Sequence, residues 1–311
     1  VHRFFKVELP RGEKLRWPDY VTIREVGPRD GLQNENKFIP SDLKIKLIRA
    51  LIKTGVTNIE ATSFVHPRAI PQLSDAELVL DSLDDIPDNV LLSALVGNVK
   101  GMQRALNTNV REVVVVVSAS EDHNRANVKM SVGESLQALR EISFLASGGG
   151  TVIRGAVATA FGCPYQGKIN YDQVSVVVEG MLEAGIKEIT LADTAGLGHP
   201  RQVYTLIRKL SAKYPEVTWT LHFHDTRGLG LANVVMGIQA GVTILESSVG
   251  GLGGCPFIPG ATGNVPTEDL VFMLHSMGIR TSIDLEGIIR CTYLLEEILG
   301  RRLPARVSHL K

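Results

Sequence analysis

Two histidines two positions apart, His222 and His224 in the run T-L-H-F-H-D-T-R, offer the most chemistry in this sequence. The run reads as a β-strand ending in a turn. On a strand, residues i and i+2 face the same side. Both imidazoles therefore share a face, while Phe223 points the other way. Two imidazoles with Asp225 just beyond suit half of a divalent-metal site. The plainer reading of an H-x-H pair is two hydrogen-bonded, structural side chains. Companions elsewhere in the chain have to decide between them.

Those companions depend on the elements that carry them. β-rich runs occur at 21–26, 58–62, 90–96, 112–118, 152–158, 188–192, 217–222 and 242–246. Helical patterns fall between them, at 41–54, 78–83, 100–108, 132–146, 171–184, 200–213, 230–240 and 267–277. The clearest helix follows Pro40, with Ser41 as its expected N-cap and Gly55 as its stop. The valines at 113–117 form a continuous apolar run, as a buried parallel strand should. Strict alternation of strand and helix gives an α/β fold. Eight such units over about 250 residues fit a closed (β/α)8 TIM barrel. A doubly wound open sheet is the alternative, but no G-x-G-x-x-G follows the first strand. We divide the chain into an extension at 1–20, a barrel at 21–280 and a C-terminal helical segment at 281–311. That last segment is expected to lie across the barrel or at an oligomer contact.

Barrel enzymes place functional residues at the C-terminal ends of strands. Read in order, those ends supply Glu25, Arg29, Asp30 and Gln33, then Glu60, His123 and Asn124, Asp193, and His222 with His224. The eighth strand runs into G-G-L-G-G-C-P with Cys255, followed by Asn264. Asp30, His222, His224 and Asn264 make a mixed oxygen and nitrogen set. Such a set suits Mg²⁺ or Mn²⁺, with Co²⁺ and Zn²⁺ also compatible with the imidazoles. Arg29, permanently charged, suits stabilisation of an oxyanion or enolate. Structural readings exist for each residue. Asp30-Gly31 could be a turn, Glu60 could pair with Arg29, Asp193 could cap a helix, and Asn264 could adopt a left-handed backbone. Their joint placement on one barrel face favours a site, since chance would scatter polar residues to the other face too. The glycines at 250–254 are expected to form a loosely packed lid that delivers Cys255. The loop lacks the Lys-Ser/Thr of a phosphate-binding P-loop.

Composition narrows the function classes. The 311 residues carry 33 Lys plus Arg and 33 Asp plus Glu, so no global field attracts nucleic acid. Three cysteines, widely spaced, fit a reducing compartment rather than a disulfide framework. No run is long and apolar enough to span a bilayer. The first residues lack the apolar core of a secretory signal. A soluble protein of the cytoplasm or of the mitochondrial matrix is expected.

The segments G-P-R-D-G-L-Q-N, I-E-A-T-S-F-V, G-C-P-Y-Q-G-K, H-F-H-D-T and S-V-G-G-L-G-G-C-P-F together resemble the 3-hydroxy-3-methylglutaryl-CoA lyase family. That family belongs to a wider group of metal-dependent lyases and Claisen-type synthases on TIM barrels. The resemblance runs from about residue 21 to 301. It implies cleavage of 3-hydroxy-3-methylglutaryl-CoA to acetyl-CoA and acetoacetate, with Mg²⁺ or Mn²⁺ held by Asp30, His222, His224 and Asn264. It implies Arg29 as enolate stabiliser, Cys255 as the loop cysteine, and Glu60 and Asp193 as active-site carboxylates. Asp193, with His224, is the expected proton acceptor. Glu25, Gln33 and Glu268 match supporting residues near the metal and Arg29. For the phosphates of the acyl-CoA partner, His123, Asn124, Arg125 and Lys129 are the candidates. A homo-oligomer, a dimer, is expected.

The sequence departs from the animal members at Arg227-Gly228-Leu229-Gly230, where Tyr-Gly-Gln-Ala is expected, and at Ala192 and Ala195. It also lacks their cysteine near the carboxyl terminus, so thiol control between subunits is not expected. Arg227, next to the histidines, could favour a different acid end on the substrate. That keeps citramalyl-CoA and longer hydroxyglutaryl-CoA esters as alternatives. A condensing enzyme of the same group would need a regulatory domain for which residues after 281 leave no room. A non-catalytic acyl-CoA-binding barrel would not need Arg29 and the full ligand set together.

Overall fold

The computed structural model describes residues 15–253 and 263–310. Four of the five valines at 113–117 are buried. Burial on both faces requires a parallel sheet covered by helices outside and packed within. The sheet is the closed barrel β1(Thr22–Glu25), β2(Asn58–Ser63), β3(Leu91–Leu95), β4(Glu112–Ser118), β5(Val152–Ala158), β6(Glu188–Asp193), β7(Thr218–Phe223) and β8(Ile244–Ser247). Every neighbouring pair is parallel, and β8 returns to β1 with Arg24 opposite Glu246. The expected TIM barrel is present, with strand positions within about two residues of those read from the sequence.

The helices are α1(Ser41–Lys53), α2(Ala76–Asp81), α3(Val99–Ala105), α4(Glu121–Val128), α5(Val132–Gly149), α6(Tyr171–Glu183), α7(Pro200–Lys213), α8(Gly230–Gln239), α9(Thr267–Ser276) and α10(Leu285–Leu299). Each long helix shows its cause in the sequence. α1 buries Leu47, Ile48 and Leu51 at helical spacing. Capping boxes start α5 (Ser131 with Glu134) and α6 (Asn170 with Gln173). α4 was not expected. Its signal was Ser120, which caps the helix through His123 N, followed by Glu121 and Asp122 in the first turn.

In the C-terminal segment, α10 packs between α1 and α9, with Ile288, Cys291 and Leu295 buried. It closes the outer layer where β8 meets β1, because its apolar stripe needs the same cover as the other helices. Inward polar residues also lie away from the mouth. Arg24 pairs with Glu112 at 2.8 Å and with Glu188, which lie at the starts of β4 and β6. Arg154 of β5, 1% exposed, sits in the barrel interior among acidic side chains. Interiors of such barrels are commonly layers of branched apolar side chains. Here charges of both signs fill part of that space, and buried charges persist only when paired.

Candidate metal centre and active site

β1 ends in a single π-turn, Gly27–Gly31, whose backbone N–H groups at Arg29, Asp30 and Gly31 all point to the Val26 carbonyl. Such turns are uncommon and often mark functional sites. This one aims Arg29 and Asp30 into the mouth. Arg29 is buried and held at two points, donating from Nε to Glu60 Oε1 at 2.7 Å and from Nη1 to Asp30 Oδ1 at 2.6 Å. Burial works against the guanidinium charge, but Glu60 and Asp30 outweigh it and keep Arg29 protonated. Glu60 thus stands behind Arg29 as its ion-pair partner, which is the structural reading of that carboxylate. Gln33 Nε2 donates to Asp30 Oδ1 at 2.8 Å, fixing the carboxylate from a second side.

His222 and His224 come from the end of β7 and its exit, with ring centroids 5.2 Å apart on the same face. One ligand atom from each of Asp30, His222 and His224 lies within 4.8 Å of the others, and all three residues are buried. The protonation of Asp30 and His224 suits a cation. Burial opposes the Asp30 charge, but Arg29 and the histidines hold its carboxyl below the usual range. Burial, with His222 alongside, pushes His224 down to about 4, leaving it neutral near pH 7. Metal ligands must be in these deprotonated forms. His222 is raised from its ordinary value: burial opposes its charge, and Glu246 more than offsets that.

Asn264 bridges β7 and the loop after β8. Its Nδ2 donates to Asp30 Oδ2 at 2.8 Å and to the Leu252 carbonyl at 2.9 Å. Its Oδ1 is buried and has no hydrogen-bond partner among the described residues, as is also true of His224 Nδ1. A buried oxygen without a partner costs about 1–3 kcal/mol. An acceptor left open beside a carboxylate and two imidazoles is what a divalent ion would fill. The donor set therefore fits a metal.

Asp193, at the end of β6, is fully buried and accepts N–H groups from Leu197 at 2.8 Å and Gly198 at 3.0 Å. Burial pushes its carboxyl up to about 6 despite those two donors. Arg227 is exposed, and its Nη1 donates to the carbonyls of Ala195 and Gly196 at 2.9 and 3.0 Å.

Other expected residues are placed differently. Among the described residues, Glu25 and Glu268 are not hydrogen-bonded to the candidate ligands. Glu25 accepts from Gly27 N at 2.7 Å, Val249 N at 2.8 Å and the Thr267 hydroxyl at 2.6 Å. Glu268 accepts from Gly250 N at 2.9 Å and from Thr292. The two carboxyls thus grip consecutive backbone N–H groups at the root of the glycine-rich loop. Burial pushes Glu25 up to about 7 and Glu268 up to about 8. The loose packing expected from Gly250 onward is corrected for 250–253: Val249–Gly251 is a buried 3-10 turn, and Leu252 is 2% exposed. At Gly253, φ is +99°, and a Cβ would meet Asn264 Nδ2 at 2.5 Å and the Asp30 carbonyl oxygen at 2.9 Å. The loop stem therefore already touches Asn264 and Asp30, two of the candidate ligands, and only glycine fits that approach. Cys255, with Gly254, lies outside the described residues. Glu268→Ala would leave the Gly250 N–H and the Thr292 hydroxyl without an acceptor, at about 1–3 kcal/mol each. We expect a lower urea midpoint with an unchanged slope; an unchanged midpoint would remove Glu268 from this anchoring role.

The candidates for the CoA phosphates do not form a basic cluster. Asn124 is buried with its amide committed: Oδ1 accepts from Ser118 N, and Nδ2 donates to Met130 O, Ser131 O and Ser135 Oγ. His123 is buried against the Tyr165 ring, and burial lowers its pKa. Arg125 pairs with Glu121 on the α4 surface at 2.8 Å. Lys129 ends α4 in the left-handed region (φ 63°) and donates to Ala126 O. Asn124 thus fastens the β4–α5 connection, and Lys129 closes back onto α4.

Sequence reasoning missed Glu246 and Arg154. Glu246 Oε2 lies 2.9 Å from His222 Nδ1, and Glu246 Oε1 is bonded to Arg154. The signal was a lone charge inside an otherwise apolar strand, in I-L-E-S and V-I-R-G-A-V-A. Such a residue must have a partner.

Similarity to known proteins agrees with this geometry. The HMGL-like family model matches residues 20–295. Hydroxymethylglutaryl-CoA lyase YngG of Bacillus subtilis (strain 168) is 45% identical over 292 residues, covering 94% of this chain and 97% of its own. The mitochondrial hydroxymethylglutaryl-CoA lyase of Bos taurus is 40% identical, covering 94% of this chain and 90% of its own. The solved structure of an HMG-CoA lyase from Acinetobacter baumannii in complex with coenzyme A and 3-methylmalate superposes with a TM-score of 0.89 at 44% identity, covering 93% and 94% of the two chains. With the match spanning nearly the whole barrel, this chain belongs to the HMGL-like family.

Proposed function

We propose that this chain is a divalent-metal-dependent carbon–carbon lyase that cleaves 3-hydroxy-3-methylglutaryl-CoA to acetyl-CoA and acetoacetate. The observation that carries the reading is the convergence of Asp30, His222 and His224 within 4.8 Å, beside the buried Arg29. The names of its relatives support the substrate, and the coenzyme A complex of the Acinetobacter relative supports an acyl-CoA partner. A homodimer in the cytoplasm or the mitochondrial matrix completes the proposal. No helix of the described residues is long and apolar enough to cross a membrane.

Mg²⁺ or Mn²⁺ on Asp30, His222, His224 and Asn264 would act as a Lewis acid, making the substrate hydroxyl more acidic. Asp193 takes the hydroxyl proton. The C2–C3 bond then breaks: the hydroxyl carbon becomes the ketone of acetoacetate, and the electron pair moves onto the thioester carbonyl. Arg29 faces the resulting enolate. Glu60 and Asp30 hold its Nε and Nη1, so Nη2 is the donor left for the substrate oxygen. A donor fixed before reaction stabilises developing charge without reorganising. Cys255 returns a proton to the enolate carbon.

Two measurements test this reading. Purified protein with Mg²⁺ and a panel of 3-hydroxyacyl-CoA esters should release acetoacetate from the hydroxymethylglutaryl ester at the highest kcat/KM. Faster release of pyruvate from citramalyl-CoA would move the assignment. The second concerns pH. Asp193 must be ionised to accept a proton, and burial raises it to about 6. Hence kcat/KM should fall about tenfold per pH unit on the acid side of that value. Asp193→Asn should lose most turnover; wild-type turnover in that variant would exclude Asp193 as the base.

A further inference from the structure

We infer that Glu246 and Arg154 are positioning residues for the metal centre: Arg154 locks Glu246, and Glu246 accepts the Nδ1 proton of His222, so that Nε2 is the atom presented to the ion. The inference rests on the metal site proposed above.

The geometry is a chain of alternating charges that starts and ends on metal ligands. Asp30 Oδ1 meets Arg29 Nη1 at 2.6 Å, and Arg29 Nε meets Glu60 Oε1 at 2.7 Å. Glu60 Oε2 lies 3.9 Å from Arg154 Nη2, and Arg154 Nη1 is bonded to Glu246 Oε1. Glu246 Oε2 reaches His222 Nδ1 at 2.9 Å. Arg154 is 1% exposed and Glu246 6%, so neither charge is compensated by solvent. An imidazole with a carboxylate on Nδ1 keeps its proton there and turns the other nitrogen outward as a ligand. Arg154 matters because it is the cation bonded to Glu246, which also accepts from the Thr190 hydroxyl at 3.1 Å, and it lies 3.9 Å from Glu60. A buried carboxylate holds its geometry only while its charge is paired. The same Arg154 therefore steadies the His222 arm directly and the Arg29 arm through Glu60. A purely structural network would stabilise the barrel and leave metal affinity alone.

The test is Mn²⁺ titration calorimetry on chelator-stripped full-length protein, at one pH. The proteins are wild type, Glu246→Gln, Arg154→Met and the double variant. Glu246→Gln keeps size and shape, and its Mn²⁺ Kd should rise about 10- to 100-fold, as loss of such outer partners commonly does. The double variant removes one charge of each sign, so it should fold at least as well as Arg154→Met while binding Mn²⁺ as weakly as Glu246→Gln. A wild type that binds no Mn²⁺ removes the metal reading itself. A wild type that binds, with Glu246→Gln within about threefold of it, overturns this inference alone. Should Glu246→Gln not fold, ¹H–¹⁵N imidazole spectra of the Mg²⁺-saturated wild type decide. A proton on His222 Nδ1 is expected, and a proton on Nε2 instead overturns the inference.

Discussion

Arg29→Gln is expected to lose turnover by several orders of magnitude while still binding metal. Removing one preorganised donor to a developing oxyanion commonly costs about 10²–10³ in rate. Here the donor is also charged and buried, and faces an enolate. The structure adds a second consequence. Arg29 is the hydrogen-bonded partner of Glu60, which is 2% exposed, so the variant leaves that carboxylate only Arg154, 3.9 Å away. Breaking a buried pair by deleting one member costs about 3–5 kcal/mol. The variant should therefore unfold at a lower denaturant concentration, and the assay must be run where it remains folded. Measured as acetoacetate release with Mn²⁺ stoichiometry in parallel, a rate loss below about tenfold at unchanged metal content would take Arg29 out of this role.

Asp30→Asn has the second-largest expected effect, loss of the metal with loss of activity. The substitution keeps shape but removes the one carboxylate among the three clustered ligands. Hard divalent ions depend on anionic oxygen, and an amide is a much weaker substitute. With its one oxygen kept toward Gln33 Nε2 and Arg29 Nη1, the new amide nitrogen would face the Asn264 Nδ2 donor, so that single contact is lost. The fold should survive, so the effect reads on binding. We expect no measurable Mn²⁺ on the variant at concentrations that saturate wild type. Full Mn²⁺ binding by Asp30→Asn would show that the ion sits elsewhere.

Much of this was legible in the sequence, for physical reasons. Strand and helix periods are local, so buried valines and capped helices announce the barrel before any contact is known. Strand-end placement then gathers Arg29, Asp30, His222 and His224, because a barrel has one functional face. What stayed hidden depends on side chains meeting across the barrel. Arg154 and Glu246 lie 92 positions apart, and no spacing rule joins them. Glu25 and Glu268 were read as supporting residues near the metal and Arg29, and their hold on the backbone at Val249 and Gly250 could not be read from the sequence. A buried carboxylate takes whatever donors the fold leaves unpaired, and sequence does not say which. The β4–α5 connection was read as a phosphate contact from its charge. Asn124 instead spends its amide on that connection's own backbone.

The most direct measurement of the central claim is anomalous scattering from crystals of the protein grown with Mn²⁺. One strong peak is expected, with Asp30, His222 and His224 ligand atoms and Asn264 Oδ1 at about 2.0–2.4 Å from it. A peak elsewhere, or no peak between Asp30 and the two histidines at saturating Mn²⁺, would contradict it.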